Sequence, residues 1–189
     1  MHTVSWQRIK NLLLNLGHRK KLWAPQKKSS LPVLVAGAGA SLEDSLELMR
    51  ELQNNIIIIA VDTALPVLMK SGIRPDLIFV LEAQVINQQD FLSCDFGGIP
   101  LVTDIIVTPG FARRYSGDIL FFSSDFYPLK ILERLEGAGL LPGRIPPLGS
   151  VGVAAVYAAC QITEGPVLLS GLDFSFTKNK SHARGAPFN

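Results

Sequence analysis

Residues 31–53, LPVLVAGAGASLEDSLELMRELQ, constrain the fold more tightly than any other stretch of the chain. An apolar run from Val33 to Ala36 meets a glycine turn, Gly37-Ala38-Gly39-Ala40. Ser41 then opens a segment with Leu42, Leu46, Met49 and Leu52 at helical spacing. Unbroken apolar residues suit a strand buried on both faces, and serine is a preferred helix cap. Such a turn exposes backbone N–H groups at a helix N-terminus, where the partial positive charge favours a phosphate. The dinucleotide fingerprint needs a third glycine where Leu42 stands, and the Walker pattern a Gly-Lys-Ser/Thr ending that is absent. A strand-to-helix turn whose glycines only satisfy positive φ fits the same residues. At this point both readings stand.

Strands and helices alternate from there. Ile56 to Val61 is a continuous, largely β-branched run, and Ala64 to Ser71 a helix closed by Gly72 before Arg74-Pro75-Asp76. Leu77–Leu81, Leu101–Thr103 and Ile119–Phe122 read as further strands, and about Pro128 to Glu136 as a helix. The three prolines in Leu140–Pro147 mark an irregular crossover. Ser150 caps a small-residue helix, Val151 to Ile162, and Val167–Ser170 is the last strand. This alternation predicts an α/β fold, a Rossmann-like three-layer sandwich with a mostly parallel sheet, plus an N-terminal helix.

With 48% hydrophobic and 18% charged residues, the 189-residue chain suits one globular domain with a sizeable core. Residues 31–189 are expected to form that domain, and residues 1–30 a basic helix and linker. Trp6, Ile9, Leu12, Leu13 and Leu16 recur at helical spacing between Thr3 and Trp23, and Pro25–Ser30 reads as the linker. The helix is expected to dock on the domain or on a protein partner; a membrane-surface helix is the competing reading. Residues 1–30 hold seven basic residues and no acid, which leaves 11 basic against 16 acidic residues in the remainder. That balance argues against nucleic acid as a partner. Cys94 and Cys160 have no metal or redox spacing, and Cys160 reads as a core residue. No apolar run has membrane-spanning length and no secretory signal is evident, so a reducing cytoplasm is the expected compartment. The residues after Asp173 offer no helix to cover the last strand, which reads either as a fragment of a longer protein or as a mobile loop.

Several polar groups fall just past the carboxyl ends of strands: Asp62, Glu82, Asp104 and Asp173. Open α/β sheets bind ligands there, and acids at those ends suit ribose hydroxyls or Mg²⁺ with phosphate. Each also suits a turn or cap, Asp62 before Thr63-Ala64-Leu65 above all. Leu148-Gly149-Ser150-Val151-Gly152 is a second helix start able to receive phosphate, or an ordinary Gly-Ser cap. In Ser181-His182-Ala183-Arg184-Gly185, His182 suits a general base and Arg184 a partner for a leaving phosphate. A solvated surface loop explains the same residues.

Taken in order, these pieces resemble a known family. Gly37-Ala38-Gly39-Ala40-Ser41-Leu42 resembles the GxGPSL opening of the MptE-like family, which includes archaeal 6-hydroxymethylpterin diphosphokinases and bacterial motility accessory factors linked to flagellin glycosylation. Asp62-Thr63-Ala64-Leu65 with Gly72-Ile73-Arg74-Pro75-Asp76 is similar to its next block. Gly149-Ser150-Val151, Ser170-Gly171-Leu172-Asp173-Phe174 and Ser181-His182 are similar to its later ones. Bacterial CMP-sugar sialyltransferases are more distantly similar; in them the loop histidine is the catalytic base, a position that His182 matches. Ala40 replaces the family's usual proline, and Glu82 its common aspartate.

The resemblance implies a nucleotide-dependent transferase. The glycosyltransferase-like reading has His182 and Asp173 as catalytic residues. Gly37, Ala38, Gly39, Ser41, Asp62, Glu82, Gly149, Ser150 and Arg184 would hold a nucleotide or nucleotide-sugar, with no tightly bound cofactor. The alternative is a diphosphokinase-like enzyme using ATP, with Mg²⁺ on Glu82 and Asp104. A non-catalytic nucleotide-binding or scaffolding domain is the third reading.

Overall fold

The computed structural model describes residues 2–17, 21–24, 29–81, 97–124, 130–141, 143–175 and 180–187. In chain order, α1 (His2–Gly17) and β1 (Lys21–Leu22) precede β2 (Val33–Ala36) and α2 (Leu42–Leu52). Next come β3 (Ile57–Val61), a short 3-10 turn over Asp62–Ala64, α3 (Leu65–Lys70) and β4 (Leu77–Val80). β5 (Leu101–Asp104), α4 (Pro109–Arg114), β6 (Ile119–Ser124), α5 (Lys130–Gly137) and β7 (Arg144–Ile145) follow. The last elements are α6 (Val151–Ile162) and β8 (Val167–Ser170). The elements form two compact units, Met1–Ala24 with Val80–Gly149 and Pro25–Phe79 with Ser150–Asn189. The α/β class and the parallel pairing expected of the strands are both present.

In the unit built on 25–79 and 150–189, the strands run β4-β3-β2-β8, all parallel. Val33 of β2 stands opposite Ile57 on one side and Val167 on the other. A strand flanked on both sides and covered on both faces has no solvated position, which is why all four residues of β2 are apolar and buried. Helix α6 packs on β2, β3 and β8. Its inward residues, Gly152, Ala154, Ala155, Ala158 and Ala159, are all small, so its axis lies close to the sheet. Cys160 falls on the outer side and is exposed, not in the core where its apolar neighbours placed it. From β2 the chain moves one way through β3 and β4, and β8 returns to the opposite flank of β2. The carboxyl ends of β2 and β8 therefore border a topological switch point, where open α/β sheets leave a crevice.

In the other unit, β6 pairs in parallel with β5, β1 and β7. Phe111, Phe121 and Phe122 are among its fully buried side chains. The helical stripe expected of α1 is only partly its docked face. Leu12 is buried, but Trp6 is 68% and Leu13 53% exposed. Two buried asparagines set the rotation instead. Asn11 Nδ2 donates to Ile106 O at 3.0 Å, and Asn15 Nδ2 to Ile105 O at 2.7 Å and Val107 O at 2.8 Å. The helix also ends at Gly17, short of Trp23, whose N–H extends the β1 pairing to Phe121 O. Helix α4 and the two-residue strands β1 and β7 escaped the sequence reading; two residues cannot show a period of two. Among the described residues no helix is long and apolar enough to cross a membrane.

Candidate functional site

The site grows from the two strand ends at the switch point. Ala36 stands opposite Ser170, and the chains then stay together beyond the sheet. Gly37 N–H donates to Ser170 O at 2.8 Å, and Gly39 N–H to Gly171 O at 2.7 Å. This approach leaves no room for side chains. A Cβ on Gly37 would stand 2.5 Å from Leu172 Cδ2, and one on Gly39 2.5 Å from Asp173 Oδ2. Gly171 has φ +64°, and a Cβ there would meet the Gly37 carbonyl oxygen. Leu172 also fills the space that a Cβ on Gly152 would need. Packing of the Gly171–Asp173 segment thus accounts for both glycines of the turn without a ligand.

Ser41 is not the helix cap its type suggests. Its own backbone is helical, and its side chain makes no capping bond to α2. Its Oγ donates to Asp173 Oδ1 and accepts from Gly171 N–H at 3.2 Å, while its N–H donates to Asp173 Oδ2 at 2.9 Å. The Asp173 carboxylate therefore occupies the anion position at the start of α2, which favours negative charge. The glycine turn expected to expose its N–H groups to phosphate has those of Gly37, Gly39 and Ser41 already taken. Among the described residues, the N–H groups of Ala38 and Ala40 keep no protein acceptor.

Ser150 behaves as its sequence suggests. Extended at φ −145°, it accepts from Val153 N–H at 3.2 Å through Oγ. Gly149 before it has φ +79°, open to glycine without strain. The N–H groups of Val151 and Gly152, in the first turn of α6, have no intrahelical acceptor. Ala38, Ser150, Val151 and Gly152 line one open cavity of 360 Å³, together with Gly37, Gly39 and the Gly171–Ser175 segment. Ser181 and His182 complete its wall, and His182 Nδ1 lies 3.1 Å from Ser181 Oγ. Phe174 stands at this wall 72% exposed, with φ +49°.

The His182 loop is tied down from both sides. Ala183 N–H donates to Ala38 O at 2.8 Å. Glu43, in the first turn of α2, accepts from Arg184 N–H at 2.7 Å and from Lys180 Nζ at 3.1 Å through each oxygen. The Arg184 backbone bond, then Lys180, hold the Glu43 carboxyl below the usual carboxylate range. Glu43 and Lys180 were not singled out from sequence. An acid in a first helical turn reads as a dipole partner, and its loop contacts are 137 and 141 residues away.

Other expected residues lie elsewhere. Val61 and Thr63 border the cavity. Asp62 between them accepts from Thr63 N–H at 2.9 Å, and burial pushes its carboxyl up. Asp104, in the other unit, is buried and held by Ser124 Oγ and Ile106 N–H. The Arg184 side chain is exposed and does not line the cavity; its backbone is what the loop uses. Glu82 lies outside the described residues. Among the described residues no three His, Cys, Asp or Glu side chains gather as metal donors.

The sequence matches the MptE-like family, described as 6-hydroxymethylpterin diphosphokinase MptE-like, over residues 7–179. The chain belongs to the MptE-like family. Among solved structures, the MAf glycosyltransferase from Magnetospirillum magneticum AMB-1 is similar in fold, with a TM-score of 0.75 at 20% identity over 93% of this chain and 28% of that one. An uncharacterised protein of Treponema pallidum (strain Nichols) is 31% identical over 157 residues, which are 82% of this chain and 27% of the relative. A second uncharacterised protein of that organism is 35% identical over 83 residues, 42% of this chain and 39% of its own. This MptE-like chain thus spans 27–39% of the length of the relatives it matches.

Proposed function

We propose that this MptE-like chain carries a nucleotide-dependent transferase domain of the glycosyltransferase type, moving a sugar from a nucleotide-activated donor to a hydroxyl acceptor. One observation supports this above the rest: His182 and the first turn of α6 border the same cavity at the switch point. The donor phosphate would be received by the N–H groups of Ala38, Val151 and Gly152 and by the Ser150 hydroxyl. Gly37 and Gly39 form the wall against which it lies, and Ser41 acts through Asp173. His182 would take the proton of the acceptor hydroxyl as its oxygen bonds to the sugar carbon. The bond from that carbon to the phosphate oxygen breaks, and its electron pair leaves with the nucleotide. Asp173, fixed by Ser41, lines the same cavity. The fold shared with a MAf glycosyltransferase agrees with this reading.

The family description favours a second reading, diphosphate transfer from ATP. That chemistry draws on Mg²⁺ held by carboxylates. The described acids do not fit such a set, since Asp104 and Asp173 are each engaged by protein donors and no donor cluster forms among the described residues.

Calorimetric titration with CMP, a UDP-sugar and ATP, each with and without Mg²⁺, separates the readings. Glycosyl transfer predicts metal-independent binding of CMP or UDP-sugar. Tight binding of ATP only with Mg²⁺ would replace it by diphosphate transfer, and no binding at all by a scaffolding role. The variant His182→Ala is expected to abolish turnover and keep nucleotide affinity; unchanged turnover removes His182 from the mechanism.

A further inference from the structure

We infer that Glu43 is a positioning residue that holds the His182 loop against the cavity. The inference rests on the role of His182 proposed above. Loop 180–187 follows β8 and, apart from a single bridge position at Lys180, has no strand or helix, so specific contacts help to set its place. Among its hydrogen bonds to the rest of the unit are those to two neighbouring points, Ala38 O and the Glu43 carboxylate.

Glu43 binds the loop on both sides of His182. Lys180 Nζ, two residues before it, reaches both carboxylate oxygens, and the Arg184 N–H, two residues after it, reaches Oε1. Ala183 N–H on Ala38 O adds the third tie, and Ala183 is fully buried. The backbone at 182 is thus fixed from either flank, and the anchor is the first turn of the helix that follows the glycine turn. Charge supports the arrangement twice over. Glu43 sits at the favourable end of α2 for an acid, and its partners are an ammonium and a backbone N–H, both donors to a carboxylate. The positive charge of Arg184 also favours the ionised Glu43 carboxylate. The glycine turn and the histidine are then coupled mechanically, because Ala38 belongs to both the cavity wall and the loop anchor.

Three variants and two readouts test the clasp. Glu43→Ala removes both ties; Glu43→Gln keeps an acceptor for Arg184 N–H but loses the ion pair; Lys180→Met loses the ion pair alone. Amide hydrogen exchange at Ala183 and Arg184 reads the loop directly, without any activity. It is expected to speed most in Glu43→Ala and less in the other two, while the core amides of β2 and β3 stay protected. In turnover assays, Glu43→Ala is expected to lower kcat roughly ten- to a hundredfold, as a misplaced catalytic group does. Nucleotide KM should change little, and Glu43→Gln should recover part of the loss. Unchanged exchange at Ala183 and Arg184 in Glu43→Ala overturns the clasp. Loosened exchange with unchanged kcat overturns the positioning role. If His182→Ala keeps its turnover, the role of His182 fails, whereas the exchange result still decides whether Glu43 holds the loop.

Discussion

At the start of α2, the Asp173 carboxylate accepts from both the N–H and the hydroxyl of Ser41. A serine before a helix is expected to cap it, yet Ser41 binds a carboxylate 132 residues later in the chain. Asp173→Asn removes the charge from the start of α2 while keeping one oxygen for the Ser41 donors. It is expected to cost about 1 kcal/mol in urea unfolding, as other helix-terminal charges do. Gly39→Ala should cost more, about 1–3 kcal/mol, because its methyl meets Asp173 in a packed segment. Two acids are displaced in opposite directions from their ordinary values. Glu43 is lowered, so its stabilisation is complete above its unfolded value of 4.5 and lost as pH falls through the lower folded value. The stability difference between wild type and Glu43→Gln should therefore be flat above pH 4.5 and shrink below it. Asp62 is raised by burial from 3.8, so its ionised form opposes folding. Asp62→Asn should gain on wild type near neutral pH, and that gain should vanish as pH falls through the raised value towards 3.8.

At the scale of elements, α6 and α2 differ in a testable way. Ser150 is a true cap, so Ser150→Ala should cost about 1 kcal/mol of stability. Asn15→Ala should cost about 1–3 kcal/mol in the same assay, because it leaves the buried carbonyls of Ile105 and Val107 without their donor. Much of this level was legible in sequence. Unbroken apolar runs located β2 and β3, and Ser150 with the alanines behind it located α6, because those signals are local. What stayed hidden depends on distant partners. The docked face of α1 follows asparagine bonds to a turn some ninety residues away, which no hydrophobic period encodes. The cavity was legible as a set of strand ends, but its free N–H groups were not. Which donors of the glycine turn are already taken depends on where Gly171 and Asp173 lie.

For the molecule as a whole, the order of strands decides where chemistry can occur. The return of β8 to the far flank of β2 opens one crevice, and the glycine turn, the start of α6 and the His182 loop all border it. The match to the MptE-like family, over residues 7–179, takes in the glycine turn and the start of α6. In the function proposed above, a nucleotide phosphate binds at Ala38, Val151 and Gly152, beside the carboxylate-filled start of α2 and not on it. Titration of the ¹⁵N-labelled chain with CMP, followed by amide NMR, tests this most directly. Saturable shifts are expected at Ala38, Val151 and Gly152, with a smaller response at His182. Saturable binding that leaves those three amides unmoved, or that displaces Asp173 from Ser41, would contradict it.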